Sequence, residues 1–225
     1  SCSAWKRNGV LNKADVHFCN AGGVLFGVKE YVPALMEYVD DYGIKLDFQR
    51  TLVKVNGALK TAWFKDAEGK LHETVFDFLH VVPPQVAPNF VKESGLSDDN
   101  GWLDVDKHTL RSTKYSNVWG VGDIVNAPNA KTMAAARKQA PVVAQNIFNT
   151  MEEKDDCVSY DGYGSCPLMV EHGKIVLAEF RYGGKLSPTF PSWINKGTTA
   201  TKLAWFLKQK MLPVIYWHGM LKGLA

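Results

Sequence analysis

The sequence predicts an α/β fold, in which a β–α–β unit leads into a β-meander and amphipathic helices come last. Three observations predict it. A short apolar run ending in glycines, "ADVHFCNAGG" at 14–23, is typical of a strand in a parallel sheet. Large apolar residues at helical spacing come next. Segments of alternating polarity, rich in β-branched and aromatic residues, then indicate several strands.

The first helix is predicted from "KEYVPALMEYVDDYG". Its residues Tyr31, Leu35, Tyr38 and Val39 lie at helical spacing, and Gly43 is placed to end the last turn. The strand-like segments "IKLDFQR" and "TLVKVNGALKTAWFKDAEGKLHETVFDFLHVV" follow, with glycines at their turns. This order indicates a β–α–β unit and then a meander.

The prolines of "PPQVAP" interrupt the pattern and begin a segment that we predict to be mostly loop, a crossover between two domains. After it, "NVWGVGD" predicts a short buried strand that ends in a Gly-Asp turn, and the alanine-rich stretch 131–151 predicts a helix. The segment 160–184, "YDGYGSCPLMVEHGKIVLAEFRYGG", predicts two strands joined by a turn near His172 and Gly173.

Composition excludes several classes of protein. The chain has 225 residues, 46% of them hydrophobic, and a net charge of only +3, so we expect a globular protein that does not bind nucleic acid. Its four cysteines, Cys2, Cys19, Cys157 and Cys166, include no CxxC pair, which argues against a zinc site and a disulfide-rich scaffold. The first residues are polar and lack Met, so we expect a piece of a longer chain and no signal peptide here.

The last segment, "PSWINKGTTATKLAWFLKQKMLPVIYWHGMLKGLA", combines large apolar residues with charges that are nearly all lysine. Pro213 is expected to split it into two pieces, each too short to span a bilayer. Aromatic helices flanked by lysine suit a membrane interface, where the ammonium groups reach the lipid headgroups. A core or dimer helix with solvated lysines explains the same pattern, and both interpretations stay open.

The Gly-Asp turn and the following helix start suit an anionic ligand. Gly122 lets the backbone approach a ligand closely, Asp123 can accept hydrogen bonds from a ligand hydroxyl, and the free N–H groups of the helix start near Lys131 and Thr132 favour negative charge. A reduced flavin is such an anion. The alternative is a plain turn, with Asn129 as the helix N-cap and Lys131 in solvent.

The run "NVWGVGDIVNAPNAKTMAAARKQAPVVAQNI" resembles the Gly-Asp flavin motif of flavoproteins with two dinucleotide-binding domains. Its "AKTMAAA", together with "LFGVKEYVPAL", "YDGYGSCPLMVEHGKIVLAEFRYGGKLSPTFP" and "MLPVIYWHGMLKG", is similar to the mitochondrial-type sulfide:quinone oxidoreductase family. The resemblance implies part of the second, NAD-like dinucleotide domain at 1–83. It also implies a crossover and the C-terminal part of the FAD domain at 84–151, and a C-terminal region with a redox cysteine and membrane-contact helices at 152–225.

The resemblance also implies roles for individual residues. Cys166 would be one of two redox cysteines, with its partner and the GxGxxG loop of the first dinucleotide fold expected upstream. Without the resemblance, Cys166 would be interpreted as an inert thiol buried in a strand. The positions that would contact FAD or line its quinone side are Gly122, Asp123, Lys131, Thr132, Val82, Pro83 and Pro84.

The family's reaction implies the partners of the chain. We expect oxidation of sulfide to a cysteine persulfide, passage of two electrons through FAD to a quinone, and transfer of sulfur to sulfite or a small thiol. The expected location is the surface of a mitochondrial inner or bacterial cytoplasmic membrane, and a homodimer is one option. The resemblance further implies that these residues alone hold FAD weakly or not at all and are inactive. The alternatives are a type-II NADH:quinone oxidoreductase, a flavocytochrome c sulfide dehydrogenase, and a non-catalytic membrane-binding or oligomerisation module.

Overall fold

The computed structural model describes residues 1–224; Ala225, the last residue of the predicted C-terminal region, lies outside the described residues. The chain forms two compact units. The first contains Ser1–Pro83 with Val170–His172, and the second contains Pro84–Met169 and the chain from Gly173 onward.

A parallel β–α–β arrangement lies in the first unit. Helix α1 (Cys2–Arg7) precedes strand β1 (His17–Asn20), which pairs in parallel with β2 (Lys45–Phe48). Helix α2 (Val32–Tyr42) connects these strands, and Gly43 ends it in the left-handed conformation at φ 64°. The helix predicted from the spacing of its apolar residues is confirmed, with the glycine where the cap requires positive φ.

The meander is an antiparallel sheet of three strands, β3 (Thr51–Asn56), β4 (Thr61–Lys65) and β5 (Leu71–Val75). The central strand carries the buried residues Thr61 and Ala62, whereas most residues of the outer strands are half-buried or exposed. Because consecutive side chains of a strand point to opposite faces, the central strand is enclosed on both faces where it begins.

The crossover segment of the second unit forms a core with little regular structure. Helix α3 (Asn89–Glu93) is followed by single β-bridges, among them Leu103 with Val125 and Arg111 with Trp119. The predicted strand before the Gly-Asp turn is wrong, since only Trp119 makes a bridge there. Several side chains of this segment are nevertheless buried. Together with Val142 and Tyr160 they form a core that contains Val91, Leu103, Val105, Leu110, Val125 and Ala127.

Helix α4 (Met133–Met151) turns an unusually polar face inward. Its buried residues include Gln139, Asn146 and Asn149, and each makes hydrogen bonds. The Nδ2 of Asn146 donates to the carbonyls of Thr109 at 3.1 Å and Val158 at 2.9 Å, and its Oδ1 accepts from the N–H of Val158 at 2.7 Å. The amides thus satisfy the backbone of irregular segments that have no neighbouring strand.

A second antiparallel sheet contains β6 (Gly164–Glu171), β7 (Lys174–Phe180) and β8 (Ala200–Thr201) in that order. A two-residue turn joins β6 to β7, with Gly173 at φ 88°. The predicted hairpin is confirmed. Strand β7 is the most buried of the three, with Ile175, Val176 and Ala178 almost fully enclosed.

The last segment is one helical run and is not split at Pro213. Helix α5 (Lys202–Phe206) passes through a π-helical stretch (Leu207–Met211) into α6 (Leu212–His218). Proline has no N–H to donate and crowds the preceding turn, and the wider π turn just before it accommodates both effects. Within residues 1–224, no helix is long and apolar enough to cross a membrane.

Candidate functional site

Two glycines set the path of the Gly-Asp loop. The N–H of Gly120 donates to the carbonyl of Leu110 at 3.0 Å. A Cβ at Gly120 would lie 2.3 Å from Leu103 Cδ2 and 2.6 Å from Val125 Cγ1, so only glycine fits this close approach. Gly122 follows at φ 75° and opens a 3₁₀ turn, Gly122–Ile124. The loop therefore packs closely against the core at Gly120 and turns at Gly122.

A side chain of α4 anchors the turn. The N–H of Gly122 donates to Oε1 of Gln139 at 2.6 Å, and Gln139 is only 1% exposed. This N–H is consequently committed within the protein. The neighbouring carboxylate of Asp123 is exposed and makes none of the described hydrogen bonds, so it can accept from a ligand hydroxyl.

Thr132 caps helix α4, which begins beyond it at Met133. Its Oγ1 accepts from the N–H of Ala135 at 3.3 Å. The first turn contains no acidic residue, so the positive end of the helix dipole is not neutralised locally. The alternative in which Asn129 is the N-cap is wrong: Asn129 Nδ2 donates to the hydroxyl of Tyr160 at 2.7 Å instead.

Lys131 is half-buried beside this helix start. Its ammonium donates to the carbonyl of Val125 at 2.5 Å and lies 4.0 Å from the centroid of the Trp102 ring. Burial lowers the pKa of Lys131, while the carboxylates of Asp123 and Asp98 act in the opposite direction. Lys131 is in none of the ion pairs between described residues, so it is a cation held by neutral groups rather than one in solvent.

Cys166 lies on strand β6, near the helix start in the chain's second unit. A Cβ at Gly164, the first residue of β6, would lie 3.6 Å from Ala130 Cβ, so β6 begins against the residue before Lys131. Cys166 is half-buried and reduced, and burial raises the pKa of its thiol. At neutral pH the free side chain is therefore a thiol, and its reactivity depends on its redox partner and on access.

A chain of hydrogen bonds joins the segment that leads into α4 to the segment that enters β6. The Nδ2 of Asn129 donates to the hydroxyl of Tyr160 at 2.7 Å. That hydroxyl donates to the carbonyl of Tyr163 at 2.5 Å. Tyr163 in turn donates to Oε1 of Glu179 on β7 at 2.6 Å. Sequence reasoning missed Gln139, Tyr160 and Trp102, because their partners are distant along the chain and no local pattern marks them.

The predicted residues divide between the two units. Gly122, Asp123, Lys131, Thr132 and Cys166 belong to the second unit, and the first four form one continuous loop and helix start. Val82 and Pro83 belong to the first unit, and both are exposed in the irregular segment after β5, Val82 by 82%.

The donor set of the second unit suits a flavin nucleotide. An exposed carboxylate can accept from a ribityl or ribose hydroxyl, and an unneutralised helix N-terminus beside a half-buried lysine suits negative charge. The residues present therefore fit the cofactor that the sequence motif implies. Among residues 1–224 no group of His, Cys, Asp and Glu is arranged to hold a metal ion.

Solved structures define the class of fold. A chain of the Tetrahymena thermophila mitochondrial ATP synthase F1Fo composite tetramer aligns with a TM-score of 0.77 and 25% identity, over 98% of this chain and 52% of that one. The sulfide:quinone oxidoreductase of the hyperthermophilic bacterium Aquifex aeolicus aligns at 0.72 and 16% identity, over 96% and 52%. NDH2 from Plasmodium falciparum aligns at 0.57 and 10% identity, over 95% and 60%. The predicted class, a dinucleotide-binding flavoprotein fold, is confirmed.

Curated relatives of similar sequence include mitochondrial sulfide:quinone oxidoreductases. The mitochondrial sulfide:quinone oxidoreductase of Mus musculus is 36% identical over 221 residues, and that of Dictyostelium discoideum is 37% identical over 220. Each match covers 97% of this chain and 48% of the relative. No model of a protein family matches the chain. The predicted resemblance to the sulfide:quinone oxidoreductases is confirmed, and the chain spans about half the length of the curated relatives it matches.

Proposed function

We propose that this chain is part of a sulfide:quinone oxidoreductase, which oxidises sulfide at Cys166 and passes two electrons through FAD to a quinone. The observation that carries the proposal is the hydrogen-bonded connection in the second unit between Asn129, which leads into the start of α4, and the segment entering the Cys166 strand. It ties a helix start suited to a flavin to a strand that carries a thiol. The relatives' names supply the reaction.

The residues of the Gly-Asp loop and helix start would hold the cofactor. Asp123 would accept a hydrogen bond from a hydroxyl of the nucleotide, and the positive end of α4 with Thr132 and Lys131 would stabilise its anionic part. Val82 and Pro83 are proposed to line the quinone side. Bound FAD would supply the two-electron redox chemistry that amino-acid side chains lack.

Cys166 would act as one sulfur of a disulfide with a second cysteine. Hydrosulfide attacks one sulfur of that bond, the S–S bond breaks, and the attacking sulfur stays on the attacked cysteine as a persulfide. The other cysteine leaves as a thiolate and keeps the electron pair of the broken bond. A sulfite or small thiol then removes the outer sulfur of the persulfide. Because this exchange needs a thiolate as the leaving group, the pKa values of both cysteines influence its rate.

The C-terminal helices are proposed to contact a membrane surface. Val214, Trp217 and Leu221 are 57%, 63% and 56% exposed. Lysines accompany them, including Lys210 and Lys222 at the ends of their helical segments. Exposed apolar side chains beside lysines suit the interface of a bilayer with anionic headgroups. We place the protein peripherally on a mitochondrial inner membrane or a bacterial cytoplasmic membrane.

The test replaces Cys166 by Ser in the protein expressed from its complete gene. We expect sulfide-dependent reduction of a soluble ubiquinone analogue to be abolished, while flavin absorbance per chain is unchanged, because only the sulfur is removed. Cys157→Ser is the matched control, since Cys157 is exposed and outside the site. Full activity of Cys166→Ser would refute the proposal. Quinone reduction driven by NADH but not sulfide would favour an NADH-oxidising relative.

A second candidate function is a structural subunit of a mitochondrial membrane assembly. It is favoured by the TM-score of 0.77 with a chain of the Tetrahymena ATP synthase tetramer. In that case the protein should comigrate with a large complex on native gels and show no sulfide-dependent activity. Cys166→Ser should then leave comigration unchanged.

A further inference from the structure

We infer that Tyr160 is the positioning residue that holds the Cys166 strand in register with the start of α4. This inference rests on the proposed function, in which Cys166 works beside a cofactor held by that helix start. Nothing in the local sequence around Tyr160 distinguishes it from an ordinary core tyrosine. Its role follows from what its hydroxyl contacts.

The hydroxyl of Tyr160 both donates and accepts a hydrogen bond. It donates to the carbonyl of Tyr163 at 2.5 Å and accepts from Asn129 Nδ2 at 2.7 Å. A tyrosine hydroxyl has one proton to donate, and that proton is used here. Tyr160 is 2% exposed, so water cannot replace a partner that is lost.

The two partners belong to different parts of the candidate site. Asn129 precedes Ala130, against which Gly164 packs, and Lys131. Tyr163 is the residue before β6 and three residues before Cys166. The hydroxyl is therefore the atom through which these two parts are connected.

The ring of Tyr160 is held independently of its hydroxyl. It packs edge-on against Tyr182, with centroids 5.7 Å apart, and belongs to the core of the second unit. The backbone N–H of Tyr160 donates to the carbonyl of His108 at 2.8 Å. Tyr160→Phe keeps the ring and these contacts and removes only the shared atom. Burial also raises the pKa of Tyr160 to about 12, so the hydroxyl remains a donor at physiological pH.

Two consequences distinguish positioning from simple support. Without the hydroxyl, the entry to β6 loses its connection to the segment that leads into α4, and Cys166 can shift relative to the cofactor-binding residues. A displacement of about 1 Å can cost a reaction roughly 100-fold. Access of small reagents to Cys166 should change as well, because the strand is held less closely.

The experiment compares Tyr160→Phe with Tyr115→Phe, since Tyr115 is 52% exposed and lies outside the network. In the full protein, reduced with dithiothreitol and then desalted, the rate of Cys166 alkylation by iodoacetamide is followed by peptide mass spectrometry; kcat and KM for the quinone are measured on the unreduced protein. We expect Tyr160→Phe to change the alkylation rate several-fold and to lower kcat roughly 10- to 100-fold with little change in KM. Tyr115→Phe should behave like the unaltered protein.

A lower melting temperature with unchanged alkylation rate and unchanged kcat would show that Tyr160 is structural only and would overturn the inference. Should Tyr160→Phe not fold, Asn129→Ala removes one of the two hydrogen bonds of the hydroxyl and is measured in the same way. If Cys166→Ser retains activity, the proposed function fails. If Cys166→Ser is inactive while Tyr160→Phe is unchanged in both readouts, only the present inference fails.

Discussion

The ammonium of Lys131 lies over the ring of Trp102, 4.0 Å from its centroid, and donates at the same time to the carbonyl of Val125. Neither partner carries a charge. No ion pair between described residues therefore neutralises Lys131 beside the positive end of α4, and burial lowers the pKa of its ammonium. This arrangement favours an anionic ligand at the helix start. Substitution of Trp102 should therefore disturb the position of the Lys131 ammonium.

A double-mutant cycle tests the contact between Trp102 and Lys131. Trp102→Leu and Lys131→Met, alone and together, should show a coupling free energy of about 0.5–2 kcal/mol in urea unfolding, the range for cation–π pairs. Trp102→Phe should retain part of it. A parallel cycle of Trp102→Leu with Lys154→Met serves as control, because Lys154 lies over Phe148 instead. Zero coupling in the first cycle would show that the ring does not hold the ammonium.

Gly120→Ala should destabilise the protein, because the new methyl group would lie 2.3 Å from Leu103 and 2.6 Å from Val125, both buried. Overpacking of this kind costs about 1–3 kcal/mol, measured here as the change in free energy of unfolding. Gly57→Ala is the matched control, since no atom lies within 4 Å of its added Cβ. Equal effects of the two substitutions would contradict the close approach of the loop to the core.

The Asp66 carboxylate should make the stability of the first unit depend on pH in the acidic range. Its Oδ2 accepts from His72 at 2.6 Å and Arg50 at 3.1 Å, and the hydrogen bond from His72 is the main reason that its pKa is lowered to about 2 from 3.8. Because the pKa of Asp66 is lower in the folded state, its carboxylate stabilises the fold above pH 3.8. This stabilisation is lost as the pH falls towards 2.

Asp66→Asn removes this contribution. The variant should be less stable than the unaltered protein at pH 6, and the difference should shrink progressively between about pH 4 and pH 2. Urea unfolding followed by the fluorescence of the first unit's Trp63 measures it. Asp77→Asn provides the comparison, because the carboxylate of Asp77 is fully exposed and its ion pair with Lys60 is long, at 3.5 Å. A difference that stays constant with pH would exclude the linkage.

Val214→Asp should weaken binding to liposomes that contain anionic lipid. Val214 is 57% exposed on α6, and burying an aliphatic side chain of this size contributes about 1.5–3 kcal/mol, which the carboxylate forfeits. Co-sedimentation gives the bound fraction. Leu59→Asp, at a 68% exposed position in the turn between β3 and β4, should bind like the unaltered protein. If both variants sediment equally well, the C-terminal helices are not the membrane contact.

The parts of the fold that sequence could predict are those determined by local pattern. Helix α2 follows from apolar spacing and the glycine after it, and the β6–β7 turn follows from His172 and Gly173 between two apolar runs. Pro213 misled prediction, because the π-helical stretch that accommodates a proline is set by packing and has no local signal. The strand predicted before the Gly-Asp turn is absent for a similar reason, since the partner that Trp119 finds, Arg111, makes one isolated bridge and not a ladder.

The candidate site was predictable only where its residues are contiguous. The loop containing Gly122 and Asp123 and the cap at Thr132 lie within a dozen residues of each other, so glycine, carboxylate and helix-start chemistry identified their neighbourhood. Tyr160 and Trp102 contact the same site from distant segments, and only the folded chain brings them close to it. The choice between Asn129 and Thr132 as N-cap also depended on a distant partner, the hydroxyl of Tyr160.

The inward-facing amides of α4 leave no place for a charge on this face of the helix. Asn146→Asp would exchange the NH₂ donor for a carboxylate oxygen facing the carbonyls of Thr109 and Val158. Two attractive contacts would become repulsive in a place without water, and a charge would be buried as well. Exchange of a single atom group on one helix would thus loosen two irregular segments of the backbone at once, so both segments depend on a side chain that lies outside them.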